Sequence, residues 1–328
     1  VVEGNPALIA HHYDRASVPR EAIKHYTRAG HRAAILGHNA DAIRHYVRAR
    51  DIADASRGVE LPEGAGLDLA NLEEIRVCEW QDRVKLRLAL GDTLRRVGRL
   101  DEAEASYEGA REDLLLDERR KGRILDKSEV SRFEGSIELR VGNVEKVRGA
   151  FEEALFHYHI ALDKFGREGE PRLLAPLWAA IGFAQFRTGK LDQALESFRK
   201  GLRACRRIPR HEADWADSAS RLLHSMGNVF YARKKPVQAE RLGMMAGRVV
   251  DESRFPQLAA IAYNNVAVVL FMRGDYARAR DLFLRSLTLK EKVGDLYDLV
   301  VAYNNLSEVS LVFGEKDHAL DMARRALQ

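Results

Sequence analysis

Two cysteines in 328 residues, Cys78 and Cys205, are too few and too far apart for a disulfide framework or for the paired spacing of a zinc site. That scarcity fits a reducing compartment, so a cytoplasmic location is expected. Stretches of β-branched alternation bounded by Asn-Gly turns are missing, and with them any expectation of strands. Long apolar runs are missing too. The longest, around Ala259 to Met272, is broken by two asparagines and falls short of the ~18 residues expected of a membrane helix. Positive charge is in slight surplus only, +4 from 53 Lys and Arg against 49 Asp and Glu, so the chain as a whole has no electrostatic footprint for nucleic acid or a membrane surface. No charged-then-apolar leader opens the chain, and it starts at Val1 rather than at a methionine. We expect a piece of a longer protein.

Catalytic and metal motifs are also lacking. Gly182 to Lys190 ends in Gly-Lys, but the gap is wrong and a leucine stands where a phosphate-binding loop needs Ser or Thr. No Gly-x-Ser-x-Gly, His-Glu-x-x-His or kinase catalytic loop is present. Six of the eleven histidines precede residue 46, yet His25 and His45 stand at equivalent positions before a tyrosine and read as repeat surface. His157 and His159 are two apart on a helix and point to different faces. The expectation is no enzyme, no cofactor and no metal.

What the chain does have is a repeat. Ala262-Tyr263-Asn264-Asn265-Val266 returns forty residues later as Ala302-Tyr303-Asn304-Asn305-Leu306, and a glycine (Gly274, Gly314) and then an alanine (Ala279, Ala319) follow at the same offsets. A fixed period of this size means stacked helical or strand units that bury a shared core. The template is a helix with a small residue in its middle, a turn glycine seven residues later, and a second helix with alanine five residues after the turn. An aromatic and another small residue follow at four and seven beyond that alanine. Positions three, four and seven apart share one helix face, and small side chains there let helices approach to roughly 8 to 10 Å.

Sliding the template backwards gives Gly227, Ala239, Gly243 and Ala246, with Lys234 and Lys235 at the turn. It next gives Gly182, Gly189, Ala194, Phe198 and Gly201, and after that Gly135, Gly142, Val147, Phe151 and Ala154. Further back come Gly91, Gly98, Ala103, Tyr107 and Ala110. At the N-terminus Ala10, Tyr13, Ala22, Tyr26 and Ala29 fit, and Gly37, Ala42, Tyr46 and Ala49 fit again only twenty residues later, which implies a shortened first helix in that second unit. Residues 51–84 and 114–131 resist the template; the first should mix a loop, including the break at Glu60 to Gly66, with a longer helix, and the second reads as a charged connector. The resulting expectation is an all-α chain, a right-handed α-solenoid of about eight helical hairpins. Its divisions would be N-terminal hairpins over 1–58, transitional helices over 59–131 and a regular array over 132–328, all one continuous solenoid.

The small residues of the first helix, the turn glycine and the Ala-x3-aromatic-x2-Ala of the second resemble the tetratricopeptide repeat (TPR). The forty-residue period with Asn-Asn is similar to the longer variant of kinesin light chains. The aromatic expected early in the first helix and the proline closing the second are mostly absent. A looser resemblance, carried by Leu8 to Tyr13, Ala22 to Gly30 and Ala42 to Tyr46, is to the helical region following the ATPase module of large bacterial signalling proteins. That resemblance implies a sensor region of a bacterial signalling ATPase or kinase, without a phosphate-binding loop of its own.

The first resemblance implies that first-helix residues line a concave groove. On that register the groove candidates are His224, Asn228, Asn264, Asn265, Asn304, Asn305 and Glu308, with Phe183, Phe186, Tyr231 and Phe271 as apolar anchors. An Asn side chain offers two N–H donors and one acceptor, enough to hold the backbone of an extended peptide whatever its sequence. The bland alternative is that one Asn of each pair ties neighbouring helices together. Arg95, Arg96, Arg140 and Arg187 read as the ends of first helices. They suit either carboxylate recognition or simple pairing with the helix macrodipole. Around Arg199 to His211 lies a denser basic cluster without aromatic interleaving, which argues against nucleic acid. Two functions follow: a non-catalytic regulatory module that takes a peptide or partner protein in its groove, or a domain sensing a small-molecule inducer. Self-association through an uncapped last repeat is a further expectation.

Overall fold

The computed structural model describes residues 5–56, 79–121, 126–166, 169–293 and 296–327, and every regular element of more than one turn among them is an α-helix. In order these are α1 (Pro6–Arg15), α2 (Pro19–Ile35), α3 (Asn39–Ala55), α4 (Trp80–Arg96), α5 (Leu100–Lys121), α6 (Lys127–Arg148), α7 (Phe151–Phe165) and α8 (Pro171–Arg187). They continue as α9 (Leu191–Cys205), α10 (Ala213–Ala232), α11 (Pro236–Arg248), α12 (Pro256–Met272), α13 (Tyr276–Val293), α14 (Leu296–Val312) and α15 (Lys316–Leu327). The chain forms two compact units, Val1–Arg148 and Gly149–Gln328.

Eight turns between helices share one backbone device. Ser17, Gly37, Gly98, Gly149, Gly189, Lys234, Gly274 and Gly314 all have φ between 57 and 84°. A residue in this left-handed region ends the first helix, and glycine takes it without a Cβ penalty. Five residues after each turn stands an alanine: Ala22, Ala42, Ala103, Ala154, Ala194, Ala239, Ala279 or Ala319, none more than 3% exposed. Seven residues before each turn stands Ala10, Gly30, Gly91, Gly142, Gly182, Gly227, Ala267 or Ser307. In the seven hairpins that lie within one unit, the second helix thus presents a methyl group, and the first a small residue, to the contact between them, which lets the axes come close.

Aromatic rings of the second helices use that closeness. A Cβ added at Gly30, Gly91 or Gly182 would lie 2.4 to 2.5 Å from a ring carbon of Tyr46, Tyr107 or Phe198. These three rings are almost completely buried, and each closes the hairpin it belongs to.

Three sequence expectations are corrected. Gly135, Gly142 and Gly149 are equally spaced, so either neighbouring pair satisfies the seven-residue interval. The true turn is Gly149, with Gly142 in mid-helix and Ala154, Tyr158 and Ala161 following, a shift of seven residues. Val147 in the alanine position was the signal against the earlier register. Second, the first helix of the second hairpin is not shortened: α2 has a full 17 residues and packs against both α1 and α3, serving two hairpins at once. Third, the described residues within 114–131 are mostly helical, not a connector. Helix α5 runs on to Lys121 and α6 starts at Lys127, with Leu114 in the core, because nothing in Leu114 to Lys121 breaks a helix. The expected break at Glu60 to Gly66, and Cys78, lie outside the described residues.

Candidate functional site

Within the second unit the first helices of four successive hairpins are α8, α10, α12 and α14, with α8 packed on α10 and α10 on α12. Their template offsets place Ala179, His224, Asn264 and Asn304 at one position and Ala180, Ser225, Asn265 and Asn305 at the next. The row therefore changes from apolar to polar along the array.

At the polar end, Asn305 Nδ2 donates to Asn264 Oδ1 at 2.8 Å and so joins α14 to α12. This bond uses one amide hydrogen of Asn305 and the carbonyl of Asn264; it leaves the two N–H donors of Asn264 and the carbonyl of Asn305 open. Asn265 is half-buried and Asn304 exposed, and the side chains of both are without a hydrogen bond among the described residues. Glu308, one turn beyond Asn304, is exposed as well. On α10, Asn228 Nδ2 lies 3.2 Å from His224 Nε2. If the amide donates there, the imidazole carries its proton on Nδ1, a buried atom with no partner. Burial pushes the His224 pKa down to about 4, so the ring is neutral at pH 7.

At the apolar end Phe183 is half-buried, edge-to-face with Phe151 at 6.2 Å. The Arg187 guanidinium lies 4.5 Å above the Phe151 ring and 6.0 Å from that of Phe183. This is a cation–π clamp between α7 and α8. Phe151 escaped the sequence reading because the shifted register had assigned it to a second-helix core position. Phe186 and Tyr231, at equivalent offsets on α8 and α10, are half-buried, and Phe271 on α12 stands edge-on to Tyr276 at 5.3 Å.

Arg140 does not join this row. It sits in α6, well before the helix end that the shifted register had assigned to it, and its Nε donates to Asp92 Oδ2 on α4 at 2.9 Å. Asp92 also accepts from the Tyr107 hydroxyl at 2.9 Å, so the arginine is part of the packing of the first unit. That unit also holds an open cleft of about 490 Å³ between the start of α1 and the helices α2 and α3. No helix among the described residues is long and apolar enough to cross a membrane, and no group of three His, Cys, Asp or Glu among them is placed to hold a metal ion.

Three stretches of the chain match tetratricopeptide-repeat profiles: residues 85–108, 175–207 and 258–328. The curated protein response regulator aspartate phosphatase A of Bacillus subtilis (strain 168) is 28% identical over 110 residues. That alignment covers 33% of this chain and 28% of the relative, so less than a third of the relative's length is represented. Among solved structures, the Rap conjugation gene regulator of the plasmid pLS20 in complex with the Phr peptide gives a TM-score of 0.61 at 14% identity, over 96% of this chain and 75% of that one. A Rap protein complexed with competence and sporulation factor gives 0.55 at 13% identity, over 94% and 76%. The apo form of RapI gives 0.52 at 13% identity, over 93% and 75%. At these identities the likeness is one of fold.

Proposed function

Because the chain is built of tetratricopeptide repeats, we propose that it is a non-catalytic regulatory module whose second unit receives an extended peptide or partner segment along α8, α10, α12 and α14. The observation that carries this reading is the run of amides on α12 and α14. The Asn264–Asn305 bond fixes two of them in place, while Asn265 and Asn304 keep their donors and acceptors open. Preorganised amides bind backbone groups without first paying to order themselves. Phe183, Phe186, Tyr231 and Phe271 supply half-buried anchors along the same helices. One structural neighbour is in complex with the Phr peptide, and another with competence and sporulation factor. The phosphatase named among the relatives extends far beyond the matched stretch, and its activity is not carried over. We place the module in the cytoplasm of a bacterium as part of a signalling protein.

A library of random linear peptides displayed on phage and selected on the chain tests the reading. Losing one amide-to-backbone hydrogen bond costs about 0.5 to 1.5 kcal/mol, so Asn265→Ala with Asn304→Ala should weaken selected peptides by roughly tenfold. The melting curve should stay in place. Asn264→Ala should weaken binding and also lower the melting temperature. Selected peptides that bind both variants as tightly as the parent chain would refute the reading.

A further inference from the structure

We propose that the exposed basic ridge at the end of α9 and in the turn into α10 is a second docking surface, whose partner is an acidic polypeptide segment. Residues 197–211 contain Arg199, Lys200, Arg203, Arg206, Arg207 and Arg210 and no Asp or Glu. These six cations exceed the surplus of +4 for the whole chain and leave all the rest at −2. The five arginines are exposed and Lys200 is half-buried.

Many arginines elsewhere in this protein are laced to acids. Arg48 pairs with Asp14, Arg111 with Glu108 and Glu138, Arg172 with Glu212, Arg221 with Asp217, and Arg280 with Glu315. On the ridge Glu196 serves both Arg203 at 3.0 Å and Arg199 at 3.8 Å. Arg206 and Arg210 have no ion pair among the described residues. The helix macrodipole explains cations in the last turn of α9. It does not explain Arg199, which stands nearly two turns before the helix end, or Arg210, which lies beyond it.

The arrangement distinguishes partners. Arg199, Arg203 and Arg206 recur at i, i+4 and i+7 and form one stripe along the helix. Planar guanidinium forks bind carboxylates bidentately, so a stripe of them suits several carboxylates in a row. Two tryptophans lie in the same region, and cations already cover their rings: Lys200 Nζ is 4.7 Å from the Trp178 centroid and Arg210 Cζ is 5.9 Å from that of Trp215. Bases stacking on aromatic faces would have to displace those cations, which disfavours single-stranded nucleic acid. Because α9 packs between α8 and α10, it offers the stripe as one side of a packed helix, not as a free helix able to enter a groove.

Fluorescence anisotropy with labelled poly-L-glutamate as the probe tests the proposal. The variants are Arg203→Gln, Arg206→Gln and Arg210→Gln combined, and a control that removes three arginines elsewhere by Arg28→Gln, Arg44→Gln and Arg325→Gln. The ridge variant should bind the probe at least about tenfold more weakly, as expected when charge-assisted contacts are lost, with a shallower dependence on salt. The control should remain within about twofold. Equal weakening by both variants would reduce the ridge to general charge and overturn the proposal, as would a labelled DNA duplex bound more tightly than poly-L-glutamate with the same sensitivity to the ridge variant. Arg206→Gln with Arg210→Gln, which breaks no ion pair, repeats the measurement on a chain whose melting curve must match the parent.

Discussion

Lys234 holds φ at 57° in a turn where six of its seven counterparts are glycine and the seventh is serine at φ 58°. A side chain in the left-handed region costs roughly 1 to 2 kcal/mol, part of which glycine returns through its larger entropy in the unfolded chain. Lys234→Gly should therefore raise stability by about 0.5 to 1 kcal/mol, and Gly274→Ala at the equivalent turn should lower it by about 1 kcal/mol or more. Urea denaturation of the two variants checks the opposite signs. Two shifts in the same direction would show that the turns are not equivalent. The sequence already localised this turn to Lys234 or Lys235, since both residues are lysine and only the five-residue offset to Ala239 separates them. Side-chain pairing was less legible. Asn264 and Asn305 stand at different template positions, so no repeat alignment pairs them, and the bond between them depends on how α12 and α14 are set against each other.

Hairpin packing belongs to the scale of the helix pair, where the glycine of one helix admits the ring of the next. Gly91→Ala would put a Cβ 2.4 Å from Tyr107 Cε1, a ring that is fully buried and tied through its hydroxyl to Asp92. Overpacking of this kind costs about 1 to 3 kcal/mol. Since the clash is with the ring, Tyr107→Leu combined with Gly91→Ala should cost less than the two single changes added together, a coupling that a double-mutant cycle in chemical denaturation measures directly. Strict additivity would mean that the helices simply move apart. This knob was visible in the sequence as Gly-x15-aromatic, because both residue types are demanded by space. The register of α6 was not, since Gly135, Gly142 and Gly149 repeat the turn spacing and only the choice between Val147 and Ala154 separates the solutions. The double service of α2 was hidden for the opposite reason: the template assumes that a helix has one role, and the twenty-residue offset was read as a shortening.

Among the described residues, four histidines with lowered pKa values contribute to the response to acid. His25, His31 and His45 in the first unit and His224 in the second all have pKa values below the ordinary value, and in each case burial is the leading cause. His31 Nδ1 lies 2.7 Å from the Tyr46 hydroxyl, and His25 and His45 stack on Tyr13 and Tyr26, so protonation would disturb contacts between α1, α2 and α3. In each case the unfolded chain takes up a proton near pH 6.5 while the folded chain resists to a lower pH. The stability these neutral rings contribute is complete above pH 6.5 and is lost as pH falls towards the folded pKa. For His224, with a folded pKa of about 4, the window runs from 6.5 to 4, and its share is on the order of 2 to 3 kcal/mol at the acid end. Asp14, held below the ordinary carboxylate value chiefly by its hydrogen bond from Arg48, titrates below most of this window. Guanidinium denaturation at pH 7 and pH 4.5, followed by circular dichroism, should show the parent chain losing stability between the two. His224→Gln, which cannot titrate, should lose distinctly less. An equal loss in parent and variant would mean that His224 accepts its proton in the folded state, and that the Nδ1 left without a partner on α10 is reached by water.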